Sequence, residues 1–202
     1  DLHSFPTRRS SDLGVELSKT LDIPFYDNEL LDKASQDSGL CKAVFENQDE
    51  KPTSSFLYSL VMGSYSGAYS GSMMSDMPLN QKIFLSQFDT IKNLANEGPC
   101  VIIGRCADNI LKDRGDVVKV FISSSYEDQI KRVTELYNIP KKIALKEIKR
   151  INKLRANHYK FYTGNDWRDI NNYDISINSD VLGVEKTAKL ICDMVKNKLE
   201  DK

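Results

Sequence analysis

"VIIGRCADNIL", Val101 to Leu111, decides how the rest of the chain is read. A short apolar run ends at Gly104, Arg105 follows at once, and Asp108 stands three residues on. A continuous apolar run of this length bounded by glycine is the pattern of a strand buried in a parallel sheet. Open α/β sheets bind ligands just outside the carboxyl ends of such strands. Gly104 allows close backbone approach, and Arg105 brings a permanent positive charge to the rim. Asp108 has two readings of equal standing. It pairs with Arg105 or hydrogen-bonds a base or sugar, or it is a carboxylate placed at a helix N-terminus for structural reasons.

Working outward, strand-like segments recur between helical ones: Ile23 to Tyr26, Cys100 to Arg105, Val117 to Ser123 and Tyr173 to Asn178. Their alternation predicts an α/β layered fold. "LNQKIFLSQFDTIKNLANEGP" (79–99) sets Leu79, Ile83, Phe84, Ile91 and Leu94 near one helical face, and Gly98-Pro99 stops the helix before the strand. "SSSYEDQIKRV" (123–133) offers serine caps to a helix, and "SDVLGVEKTAKLICDMVKNKL" (179–199) predicts another, with Leu182, Leu190, Ile191, Met194 and Val195 apolar. Asp27 ends the first strand-like segment and either caps the next helix, "NELLDKAS" (28–35), or lines a site. Residues 49–78 are rich in Gly, Ser and Met and predict a loop within an inserted element. Gly63, Gly67 and Gly71 follow no strand, and no GxxxxGK[ST] occurs in the chain, so these glycines are not a phosphate loop.

The 202 residues suit one domain, and a hydrophobic fraction of 40% with a formal charge of −1 gives no global basic surface for nucleic acid. No apolar run approaches the ~18 residues that span a bilayer, and no signal peptide is visible, so the expected location is the cytoplasm, with no membrane partner. The four cysteines, Cys41, Cys100, Cys106 and Cys192, have no metal-ligand spacing. Of the two histidines, His158 is the one outside the first thirteen residues, which argues against a histidine-based zinc site or a Ser-His-Asp triad. No metal ligands are expected.

The local charge is another matter. "KKIALKEIKRINKLRANHYKFYTGNDW" (141–167) holds eight Lys or Arg between Lys141 and Lys160 against the single acid Glu147. Lys142, Lys146, Lys149 and Lys153 follow helical spacing, with Ile148, Ile151 and Leu154 on another side. A solvated helix face explains such a run, and so does a basic lid that brings Arg150, Lys153 and Arg155 onto phosphates, which guanidinium groups grip bidentately.

Five blocks, "IPFYDNELLDKAS", "SSFLYSLVMG", "EGPCVIIGRCADNILKD", "RANHYKFYTGNDW" and "NYDISINSDVLGVE", in this order and spacing, resemble the cytidylate kinase-like family of P-loop nucleoside monophosphate kinases. The resemblance covers residues 14–195. It implies an α/β, three-layer P-loop kinase fold, a parallel sheet flanked by helices, with ATP and Mg²⁺ as phosphoryl donor and CMP or dCMP as acceptor. It also implies a substrate-binding insertion over about 28–97 and a basic lid over about 138–168. Arg105 matches the family's acceptor-phosphate arginine; Arg150, Lys153 and Arg155 match its basic, catalytic lid segment. Asp27 falls where the monophosphate-binding element begins, and Asp108 joins it on the substrate side. Cys106 departs from the pattern, because better-known cytidylate kinases carry Asp beside the Arg, and this leaves cytosine specificity open. A non-catalytic nucleotide-binding module and a P-loop kinase for another small acceptor stand as alternatives.

Residues 1–13, "DLHSFPTRRSSDL", show no periodicity and read either as a natural disordered leader or as a non-native one. Back-translated, they resemble a sequencing adapter. The expectation is a non-native leader over 1–13, a single kinase-like domain over 14–202 that lacks its first strand and phosphate loop, and no activity from this polypeptide.

Overall fold

The computed structural model describes residues 9–27 and 79–200. Most of residues 28–97, expected to be a substrate-binding insertion, and residues 1–8 lie outside them. Helix α1 spans Ser10–Leu21. It begins four residues before Gly14, where the kinase-like domain is expected to start. Ser10, Ser11 and Asp12 are residue types suited to a helix start, and Asp12 in the first turn complements the N-terminal partial charge. Leu13 lies one turn before Leu17 on the same face and is only 1% exposed. The last residues assigned to the leader are therefore part of the fold. Asp22, in the left-handed conformation, closes the helix by donating its backbone N–H to Ser18 O.

Strand β1 (Phe25–Tyr26) pairs in parallel with β2 (Val101–Ile102), Phe25 opposite Val101. Strand β3 (Val120–Ser123) pairs in parallel with β4 (Ile175–Asn178), Val120 opposite Ile175. All four predicted strands are present and parallel, each shorter than the apolar run that announces it. Among the described residues they form two separate two-stranded sheets rather than one layer. The class is α/β with predominant helix. Gly14 lets α1 lie directly on β1, since a Cβ there would run into the Phe25 ring.

Helix α2 (Leu79–Glu97) leads into β2, and a one-turn helix α3 (Ala107–Ile110) comes after it. Phe84, Phe88 and Ile91 of α2 are buried with Ala107, Ile110 and Leu111 against Tyr159. After β3, Ser125 caps α4 (Tyr126–Tyr137), its hydroxyl accepting the Asp128 N–H. Helix α5 (Lys141–Thr163) is terminated by left-handed Gly164, and its Ala144, Ile148 and Ile151 pack on Val133 of α4. A 3-10 turn (Ile170–Asn172) precedes β4, and α6 (Ser179–Glu200) is the last described element, with a break at Gly183, φ 72°. In α6 the core side is Ala188, Ile191 and Cys192, which meet Leu13 and Leu17 of α1, while Leu182 and Leu190 are exposed. None of the described helices is long and apolar enough to cross a membrane.

Candidate functional site

β2 ends at Ile102 rather than at Arg105. Beyond it the chain turns sharply, with Gly104, Arg105 and Cys106 all left-handed at φ of 79°, 52° and 58°. Glycine tolerates this, whereas each of the other two carries a penalty of roughly 1–2 kcal/mol. Such strain is kept where surrounding structure holds it, commonly at functional sites. Here the Ala107 N–H donates to Gly104 O and the Ile110 N–H to Cys106 O, so the turn is tied to α3. The result is an arginine lifted off the strand end and aimed at the cavity beside it.

That cavity, about 1110 Å³, lies between the two sheets. Residues of β2 and β3 line it, and Asp27, Arg105, Asp108, Arg150 and Arg155 reach it from three separate parts of the chain. Five of the six residues singled out from the sequence are thus brought together. Lys153 is not among the lining residues and is exposed on α5, together with Lys142, Lys146 and Lys149. The lysine row is a solvated helix face. Arg150 divides its attention, since its Nε donates to Glu147 Oε2 at 2.8 Å one turn earlier.

The electrostatics centre on Arg105 and Arg155. Burial, and then the positive charge of Arg105 beside it, lower the Arg155 pKa from its ordinary value. Two guanidinium groups held close enough to affect each other, in a partly buried setting, form a site suited to an anion with several acceptor oxygens. Asp108 is not a free carboxylate next to them. Its Oδ2 accepts the Tyr159 hydroxyl at 2.5 Å, and burial raises its pKa against the opposing pull of that hydrogen bond. Burial, the Asp108 hydrogen bond and its charge push the Tyr159 pKa upward, so the phenol stays protonated as the donor.

Tyr159, His158 and Trp167 also line the cavity, and the sequence reading gave none of them a role. Arg155 and Tyr159 stand four apart on one helix, which a helical projection of α5 places on one face. Asp108, which accepts the Tyr159 hydroxyl, is however 51 residues away in sequence. Burial pushes the Cys106 thiol up to about 12, so it is an inert core group despite its neighbours. No group of three or more His, Cys, Asp or Glu able to hold a metal occurs among the described residues.

The site therefore belongs to an α/β protein with paired guanidinium groups at the carboxyl end of a parallel strand. The model of the cytidylate kinase-like family matches residues 9–181, and the chain belongs to that family. Membership points to a nucleotide kinase-type function. A solved structure of an uncharacterized protein from Eubacterium ventriosum ATCC 27560 is similar, with 29% identity, a TM-score of 0.69, and coverage of 93% of this chain and 91% of that one. No curated protein matches.

Proposed function

We propose that this site takes the phosphate of a nucleoside monophosphate, CMP or dCMP, as acceptor in ATP-dependent phosphoryl transfer on a three-layer P-loop kinase fold. The observation that carries the reading is the approach of Arg105 and Arg155 in one cavity, from the strand end and from α5. Phosphoryl transfer is catalysed mainly by positioning and by neutralising charge. Arg105 and Arg155 hold and neutralise the acceptor phosphate, and Arg150 flanks them. Asp27, at the end of β1, faces the nucleoside side. Lys153 contributes long-range charge from the exposed face.

The donor side is less complete. No GxxxxGK[ST] occurs in these 202 residues, and no Gly-rich cradle for ATP phosphates is found among the described ones. Mg²⁺ typically enters such reactions on the nucleotide's phosphates with one or two carboxylates, and so needs no cluster of three or more metal-ligating side chains, of which the described residues hold none. We therefore expect this polypeptide to bind the acceptor and not to turn it over. A second reading is a nucleotide-binding module without catalysis, which a full-length gene lacking a Gly-rich phosphate loop would favour. Cys106, where an Asp is the family's usual neighbour of the Arg, leaves room for another small acceptor.

Trp167 is the single tryptophan and lines the cavity, so its fluorescence reports occupancy. CMP and dCMP should quench or shift it at concentrations at least about tenfold below cytidine, the phosphate contributing a charge-assisted interaction of about 1.5–3 kcal/mol. Equal affinity for CMP and cytidine would overturn the acceptor-phosphate assignment. Adding a GxxxxGK[ST] loop ahead of α1 and assaying transfer from ATP separates the kinase from the binding module.

A further inference from the structure

Two like charges that lie close enough to affect each other repel, so the contacts that place their two segments matter. Arg105 sits on a strained turn and Arg155 on α5, and their mutual repulsion favours separation. The described contacts supply a candidate restraint. Asp108 lies on α3, three residues beyond Arg105 and directly after the left-handed turn. Its Oδ2 accepts the hydroxyl of Tyr159, which is 5% exposed and one helical turn beyond Arg155 on the same side of α5. This bond links α5 to the segment that follows the turn. The Tyr159 ring belongs to a buried cluster with Phe84, Phe88 and Ile110.

We propose that the Tyr159–Asp108 hydrogen bond is a positioning device: it clamps α5 to the 104–106 turn and so holds Arg155 beside Arg105 as a preformed anion-binding pair. Asp108 then acts through the two arginines rather than on a base or sugar. The proposal deepens the acceptor-phosphate reading and rests on it for the identity of the anion. The clamp itself is a statement about the ligand-free chain and is testable without any ligand.

The experiment uses the full chain with Tyr159→Phe, which removes one oxygen and leaves the ring, and with Asp108→Asn, whose amide oxygen still accepts the phenol proton. Two quantities are read well below the melting temperature: backbone hydrogen exchange across residues 104–111, and the affinity for inorganic phosphate from Trp167 fluorescence. Tyr159→Phe should speed exchange across 104–111 and weaken phosphate binding, each by about ten- to hundredfold, the range expected for losing a hydrogen bond to a charged group. Asp108→Asn should stay within about threefold of the parent in both, as the weaker neutral acceptor allows. A purely structural role would move the melting temperature and leave phosphate affinity at lower temperature unchanged. Parental exchange across 104–111 in Tyr159→Phe overturns the clamp, and so does an Asp108→Asn protein as impaired as Tyr159→Phe, since charge and not the hydrogen bond would then be responsible. If the parent does not respond to phosphate, the acceptor reading fails, and the exchange data alone decide the clamp.

Discussion

Arg132 of α4 reaches back to Asp12 in the first turn of α1, Nη2 to Oδ2 at 2.5 Å, and the contact is returned by Arg9, which pairs with Asp128 at 2.9 Å. The two pairs stitch the head of α1 to the first half of α4. Asp12 is 45% exposed and Arg132 19%, so solvent screens the attraction. A double-mutant cycle on Asp12→Ala and Arg132→Ala, read by urea denaturation, should give a coupling of about 0.2–1 kcal/mol. A larger value would mean the pair fixes the docking of α1 rather than decorating it.

Burial predicts a sharper result one residue along. Leu13 is 1% exposed and packs with Leu17, Ile177 and Ile191, whereas Val15 is 40% exposed. Leu13→Ala should cost about 2–5 kcal/mol and Val15→Ala no more than about 0.5 kcal/mol. Thermal or urea unfolding of the two variants separates them. Equal, small effects would return Leu13 to the leader.

The two faces of the basic helix should behave differently. Arg155→Gln removes half of the guanidinium pair and is expected to weaken phosphate or CMP binding by at least tenfold, about 1.4 kcal/mol or more. Lys153→Gln alters an exposed charge outside the cavity and should change affinity less than threefold at about 0.15 M salt, where exposed charges are largely screened. Trp167 fluorescence titrations decide it.

Asp108 gives a pH signature whose sign is fixed by its raised folded pKa. Above its unfolded value of 3.8 the unfolded chain releases this proton first, while the folded chain still holds it. Stability from this group is therefore present at low pH and lost as pH rises from 3.8 through the folded value. Asp108→Asn lacks that titration, so the stability of the variant relative to the parent should increase across this window. A difference that is flat with pH, or falls, contradicts a raised Asp108.

Cysteine reactivity offers a further check. With the thiol held near 12 by burial, Cys106 presents about one thiolate in ten thousand at pH 8. Buried Cys192 is shifted upward as well. In the native protein both should resist a thiol reagent over the time in which all four cysteines react in urea. Mass mapping of the modified sites reads the outcome.

Much of this architecture is legible in one dimension because its causes are local. A run such as Val117 to Ser123 is strand-like through its own side chains, Ser125 caps α4 by contact three residues away, and the Gly98-Pro99 and Gly164 positions end helices through backbone geometry. Arg105 is legible for the same reason, since the end of an apolar run followed by Gly and Arg already marks a rim. Residues 10–13 escape a reading by pattern because an apolar stripe of one leucine leaves no periodicity to see; only the packing of Leu13 against α6 reveals it. In the basic helix, spacing alone offers all eight cations equally. Which of them turn toward the cavity depends on which face of α5 meets α4 and α2.

By itself the sequence determined the α/β class, the parallel strands, the resemblance to cytidylate kinase-like proteins and the positions of the candidate cations, all of which arise from neighbours a few residues apart. The tertiary structure alone decided that Lys153 faces solvent while Arg155 joins Arg105, and that Asp108 serves Tyr159. Those choices are set by burial and by contacts between residues some fifty positions apart, such as the 51 that separate Asp108 from Tyr159. No local pattern carries that information, because the energy that selects the partner exists only once the helices have packed.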